Sequence, residues 1–381
     1  MRKFLCILCS IWLLTMPVLA LETPGEDTFD LRCTAAVLME KQTGTVLYEK
    51  NPYEHPSPAS VTKVMTLLLV AEAVENGSVR ADESVTASTR ASSMGGSQIW
   101  LREGETMTVS EMTKCVAVVS ANDCAVALAE HLCGSEEAFV ARMNDRAAEL
   151  GLKDTHFTNC TGLFEDDAHY TCAHDVAVMA REVLRHDFIR QFTCLWTDSI
   201  RDGSFGLTNT NRLVRYYDGC TGLKTGFTTK AMFCLAASAE REGTEYIAVI
   251  LHGETSQLRF DAARTLLDYA FANYTLLTPA PEGELPAVPV TLGASESVQV
   301  ACGESGAVLT DKASASRLTQ SVTLPESVRA PVEEGQMLGE LTVMDGEEVL
   351  ARLPLIAAES VRSLGLGALW LGLVKALCTG Q

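Results

Sequence analysis

Residues 57–77 read SPASVTKVMTLLLVAEAVENG, and the fold turns on how this stretch is read. From Val61 to Ala71 it is apolar except for Thr62, Lys63 and Thr66, and it runs out at Gly77. That pattern is a buried helix that begins at Ser60 and stops at the glycine. Ser60 and Lys63 stand three residues apart, so on a helix the hydroxyl and the ammonium share one face. An S-x-x-K string arises often by chance, and a helix start with an exposed lysine is the bland alternative. The rest of the chain decides between them.

On the N-terminal side, TAAVLMEKQTGTVLYEKN (34–51) predicts two strands joined by the turn KQTG. On the C-terminal side, helical patterns follow at 109–132, 136–150 and 173–185. Strands return at GCTGLKTGF (219–227), MFCLAASAER (232–241) and EYIAVILHG (245–253), and SQLRFDAARTLLDYAFANY (256–274) closes with a helix. Sheet, helices and sheet again predict an α+β domain with an antiparallel sheet rather than a βαβ repeat. From residue 278 the composition changes to the Pro-rich TPAPEGELPAVPV and then to short alternating strands with glycine turns, such as SVQVAC and GELTVM. A small all-β domain, a β-sandwich over 278–357, is expected there.

The chain has 381 residues, 47% apolar and 21% charged, enough for two globular domains. With 49 acidic against 30 basic residues its formal charge is −19, which argues against nucleic acid as a partner. Residues 1–20 carry Arg2 and Lys3, an apolar core, and Val18 and Ala20 before an expected cut, the pattern of a secretory signal peptide. The protein is therefore expected to be exported and to act outside the cytoplasmic membrane. Residues 358–381 are apolar on nearly every side with isolated Arg362 and Lys375, but the uncharged run is too short to span a bilayer. An in-plane anchor on the membrane surface is expected, with a docked terminal helix as the alternative. Of 13 cysteines, Cys115, Cys124 and Cys133 fall in an apolar helical stretch as small hydrophobes. Free thiols are expected, with one or two disulfides as the alternative. Seven histidines are scattered, and no Cys/His spacing fits a metal, so neither metal nor cofactor is expected.

Two further strings turn Ser60 and Lys63 into a constellation: Ser120-Ala121-Asn122 at the edge of a helical region, and Lys224-Thr225-Gly226 on an expected strand. S-x-x-K, S-x-N and K-T-G in this order, about 60 and 100 residues apart, form a signature of penicillin-binding proteins and class A β-lactamases. The chemistry explains the residue types. A serine hydroxyl needs an adjacent base, and a lysine serves only if burial and neighbouring positive charge lower its pKa. Lys63 on an apolar helix, facing Lys224, is expected to have both influences. Ser120 can relay a proton to the leaving amine, and Asn122 can hold the lysine and the substrate's peptide bond. The backbone N–H groups of Ser60 and Phe227 can form an oxyanion hole. Gly226 lets substrate approach the strand and add to it.

The chain resembles the serine-type D-alanyl-D-alanine carboxypeptidases, the low-molecular-mass penicillin-binding proteins. Beyond the three motifs, AAVLMEKQTGTVLYEKN, FVARMNDRAAELGLKDTHFTNCTGL and HYTCAHDVAVMAREVL are similar to that family, which covers roughly residues 33–275. Similarity around APVEEGQMLGELTVMDGEEVLARLPLIA is looser. The resemblance implies a penicillin-binding/β-lactamase-like catalytic domain over 21–277. It implies peptidoglycan stem peptides as substrates, loss of a terminal D-alanine through an acyl-Ser60 intermediate, and β-lactam antibiotics as covalent inhibitors. It also assigns Thr225 and Arg259 to the substrate's terminal carboxylate. Where the family often has glycine inside S-x-N, this chain has Ala121. A β-lactamase or a DD-endopeptidase on the same scaffold is the alternative. No E-x-x-L-N string of the class A β-lactamases follows S-x-N, and a non-catalytic wall-binding role conflicts with three intact motifs.

Overall fold

A computed structural model describes residues 24–365 except 165, 282, 304, 305 and 316, together with 367 and 370. The expected signal segment and most of the apolar tail lie outside the described residues. The chain divides into two compact units at Leu276/Leu277.

The first unit is built on a five-stranded antiparallel sheet. Its order is Val46–Lys50, Cys33–Glu40, Thr244–Gly253, Met232–Arg241, Cys220–Thr228, so the strand bearing Lys224 lies at an edge. The central strands are buried on both faces because two helices cover them, Ser256–Asn273 and Ala173–Val183, each packed on the same strands. Helix Lys63–Glu75 is hydrophobic all round through Ala71 because other helices surround it, among them Ala173–Val183 and Asn122–Cys133. Leu67 and Leu68 are fully buried, each contributing roughly 1.5–3 kcal/mol.

Two local departures from the sequence expectation matter for the site. Ser60 does not open the α-helix; it sits in a 3₁₀ turn, Ala59–Thr62, that runs into it. The helix expected over 109–132 is two helices, Val109–Val119 and Asn122–Cys133. The first starts with a capping box between Thr108 and Glu111 and stops where Ser120 adopts a left-handed conformation, φ +64°. The apolar periodicity continues across the break, which is why it was invisible to pattern reading.

Between Leu277 and Val361 the described residues of the second unit form strands and turns apart from one turn of helix, Lys312–Ala315, that was not expected. Asp311 caps that turn by accepting from the Ser314 N–H. A four-stranded sheet, in the order Val300–Cys302, Glu348–Ala357, Met337–Asp345, Thr319–Thr323, packs around Leu341, Leu353 and Leu355. A three-stranded sheet centred on Val288–Thr291 has its own cluster of Val288, Val290, Val298 and Val332.

Candidate active site

The 3₁₀ turn packs against the edge strand, and Thr210 links that strand to the helix break, its Oγ1 pairing with Thr225 and its N–H donating to the Val118 carbonyl. Lys63 Nζ lies 3.0 Å from Ser60 Oγ and donates to the Thr161 carbonyl at 2.7 Å. Lys63 is wholly buried, and burial lowers its pKa to about 7. Lys224 is 1% exposed and held well below the usual lysine range, first by burial and then by the charges of Lys63 and Arg259. For Lys63 itself burial is the cause of the lowering; the Lys224 charge, expected from the sequence as a second influence, is not among the causes, although the charge of Lys63 does act on Lys224.

Gly226 packs directly on the serine turn. A Cβ there would lie 2.8 Å from the Pro58 carbonyl oxygen and 3.1 Å from the Ser60 nitrogen. Glycine is therefore required by the protein's own packing, beside the Ser60 N–H expected to bind an oxyanion. Phe227 turns its side chain outward, 56% exposed, against Phe233 at 4.5 Å.

The helix break delivers the second motif. Ser120 is 3% exposed, yet its Oγ has no hydrogen-bond partner. Asn122 donates from Nδ2 to the Gly95 carbonyl at 2.8 Å and from its backbone N–H to the Ser97 carbonyl at 2.7 Å. It is not bonded to Lys63; its Oδ1 is buried and without a partner. A buried polar atom without a protein partner costs about 1–3 kcal/mol, so these two atoms do not stabilise the fold.

Arg259 is buried under the edge strand. Its Nη1 donates to the carbonyls of Gly226 (2.9 Å) and Cys234 (3.1 Å), its Nε donates to nothing, and burial lowers its pKa to about 10. Thr225 Oγ1 pairs with Thr210 Oγ1 at 2.7 Å. Among the described residues no carboxylate forms an ion pair with Lys63, Lys224 or Arg259. In a chain of formal charge −19, three buried basic side chains stand here with no carboxylate in ion-pair range among the described residues.

Several supporting residues escaped the sequence reading. Asn159 Oδ1 accepts from Thr161 N–H, Thr161 Oγ1 and Gly162 N–H at 2.7–3.1 Å, a turn that aims the Thr161 carbonyl at Lys63. Gly162 has φ +69°, and a Cβ there would run into the Ala59 carbonyl. The string Asn159-Cys160-Thr161-Gly162 carries the turn chemistry that could have revealed it. His169 Nδ1 accepts from Thr158 N–H at 3.0 Å, so its Nε2 carries the proton and donates to Thr62 Oγ1 at 2.8 Å. Burial lowers its pKa to about 4, so it is neutral and ties the serine turn to this loop rather than to a metal. Asp123 accepts from the N–H groups of Ile99 and Leu101. The ten described cysteines are free thiols.

Comparisons with known proteins identify the family. A family model described as D-alanyl-D-alanine carboxypeptidase matches residues 21–255, and one described as penicillin-binding protein 5, C-terminal domain, matches 274–363. The D-alanyl-D-alanine carboxypeptidase DacF of Bacillus subtilis is 41% identical over 96% of this chain and 95% of its own length. DacC of Escherichia coli is 30% identical over 92% and 88%. Penicillin-binding protein 5 from Haemophilus influenzae superposes with a TM-score of 0.75 at 26% identity, covering 89% of this chain and all of that one. Penicillin-binding protein D2 from Listeria monocytogenes, solved with ampicillin bound, superposes at 0.59 and 29%, covering 64% and 99%. With both family models matched in order and near-full-length relatives on each side, the chain belongs to the family of serine-type D-alanyl-D-alanine carboxypeptidases.

Proposed function

We propose that this protein removes the terminal D-alanine from peptidoglycan stem pentapeptides, with Ser60 as nucleophile and Lys63 as its base. The Lys63 amine takes the Ser60 proton, Oγ bonds to the penultimate residue's carbonyl carbon, and the N–H groups of Ser60 and Phe227 receive the oxyanion. Ser120 passes the proton to the departing amine, the C–N bond breaks, and D-alanine leaves. Water then hydrolyses the acyl ester by the reverse proton route. Asn122 Oδ1 takes the substrate amide N–H; Lys224, Thr225 and Arg259 hold the terminal carboxylate. Gly226 keeps the strand flush against the serine turn. The same residues accept penicillin, whose opened ring stays on Ser60.

The observation that carries this reading is a buried lysine with a pKa near 7, 3.0 Å from a serine hydroxyl, among basic side chains with no acidic partner among the described residues. Its test is intact-protein mass spectrometry after brief exposure to benzylpenicillin, together with D-alanine release from a pentapeptide. A single adduct and release, both absent in Ser60→Ala, are expected; rapid penicillin turnover without an adduct would make the protein a β-lactamase.

On the same reading, residues 21–277 form the catalytic domain, 278–357 a separate β-domain, and residues 1–20 direct export. Residues 358–381 hold the protein at the outer membrane surface. No described helix is long and apolar enough to cross a membrane. Truncation at 357 should move active enzyme from the membrane fraction to the soluble one.

A further inference from the structure

A cleft of about 630 Å³ is lined by Trp100, Phe205, Arg102, Glu103, Glu105 and Arg201. That volume is in the range of small-ligand sites, roughly 300–1,000 Å³. Trp100 is 65% exposed at φ +56°, a conformation that a bulky residue adopts only when its surroundings impose it. The imposing group is Asp123, whose carboxylate takes the N–H groups of Ile99 and Leu101, the residues on either side of Trp100. Anchoring both neighbours inward leaves the indole pointing out. The half-buried Phe205 meets Trp100 edge to face at 5.8 Å, so the two rings together form an aromatic side of the cleft. Arg201 fastens the two ring-bearing segments together: it donates to Glu105 at 2.8 Å and to the Ile99 carbonyl at 3.0 Å, with its guanidinium over the Phe205 ring.

Both segments run into the candidate active site. Three residues before Trp100, the Ser97 carbonyl takes the Asn122 N–H. Five residues after Phe205, Thr210 pairs with Thr225. The reach from Ser97 to Trp100 is at most about 11 Å of chain, commensurate with the roughly 14 Å that four extended residues place between a scissile bond and the sugar bearing the stem.

We propose that the Trp100–Phe205 cleft is a subsite for the amino sugars of the glycan strand that carries the stem peptide, a reading that rests on the proposed function. Two arginines and two glutamates cancel in charge, so the lining suits neither an anionic headgroup nor a cation. An exposed indole face beside an equal number of donors and acceptors suits a neutral pyranose, whose C–H face stacks on the ring while its hydroxyl and acetamido groups meet the charged rim. The substrate would then be held at two points, its peptide end by the basic side chains near Ser60 and its sugar end by Trp100.

The probe is a peptide-free glycan strand of alternating N-acetylglucosamine and N-acetylmuramic acid whose lactyl carboxyls are converted to amides, so that it is neutral as it is when the stem is attached; it is titrated against the full-length protein by calorimetry. Saturable binding is expected in the wild type and in Ser60→Ala, weakened about tenfold or more in Trp100→Ala and partly restored in Trp100→Tyr. In activity assays Trp100→Ala should lower kcat/KM for the disaccharide-pentapeptide by a similar factor and leave the free pentapeptide unchanged. Normal benzylpenicillin acylation of Trp100→Ala checks that it is folded, and Phe205→Ala supplies a second variant, at the ring that supports the indole. No glycan binding by the wild type, equal binding by Trp100→Ala, or equal losses on both substrates would overturn the proposal. Glycan binding through Trp100 in a protein that releases no D-alanine would support the subsite and refute the assigned reaction instead.

Discussion

Lowering the pH below 7 should shut off acylation of Ser60, because the amine of Lys63 and not its ammonium accepts the serine proton. With the folded pKa at about 7, the neutral fraction falls tenfold for each pH unit below that point. His169, held at about 4, stays neutral over the same range and leaves the profile to the lysines. The second-order rate of acylation by benzylpenicillin, measured by rapid quench and mass spectrometry, is expected to fall about twofold from pH 8 to 7 and about 100-fold by pH 5. Because burial leads the shift, Lys224→Gln should slow the reaction but leave the inflection near neutrality. A stability consequence accompanies this. Unfolded, Lys63 keeps its proton to about pH 10.4; folded, it releases it at about 7. Between those values the unfolded chain binds more protons, so stability rises with pH, and below 7 the full cost of burying the charge is present. At ~1.4 kcal/mol per pH unit that cost is roughly 5 kcal/mol. Lys63→Met removes it but strands the Thr161 carbonyl, at about 1–3 kcal/mol. The inactive variant should therefore be more stable than the wild type at pH 6, by roughly 2–4 kcal/mol, and the gain should shrink toward pH 10. Acylation unchanged down to pH 5, an inflection near 10, or a destabilised Lys63→Met at pH 6 would refute the reasoning.

Gly226→Ala pushes a methyl toward the Pro58 carbonyl and the Ser60 nitrogen, so denaturant melts should show a loss of about 1–3 kcal/mol and mass spectrometry no rapid penicillin adduct. Arg259→Gln removes a buried cation from the proposed carboxylate site and should raise KM for pentapeptide about 10- to 100-fold in steady-state D-alanine release. Asn159→Ala leaves the Thr161 and Gly162 donors without their acceptor; a stability loss on the order of 2–4 kcal/mol and slower acylation are expected, read by thermal melts and labelled penicillin.

The strands and the closing helix were legible in the sequence because their apolar periods are long and bounded by turn residues, as at 232–241 and 256–273. Ser60, Lys63, Ser120 and Lys224 were legible because nucleophile chemistry restricts residue types at fixed spacing. The break at Ser120 was not, since the residues on both sides keep a helical apolar pattern and only a backbone dihedral interrupts it. Thr161 was hidden for another reason: it acts through its carbonyl, which every residue has. The packing role of Gly226 was hidden, because a missing side chain reads the same whether a ligand or the protein's own turn needs the space.

The sheet order has a consequence for how the molecule comes into being. Cys33–Glu40, among the first strands synthesised, pairs along its length with Thr244–Gly253, which emerges some 200 residues later. Until then a nascent chain can hold the hairpin of Cys33–Glu40 with Val46–Lys50 but not the strand that joins it to the Lys224-bearing edge. Ser60, Ser120 and Lys224 are therefore brought together in one late, non-local step, and labelled penicillin becomes a clock for it. A ribosome-bound chain that stops short of Thr244 should carry every motif except Arg259 and still take up no label.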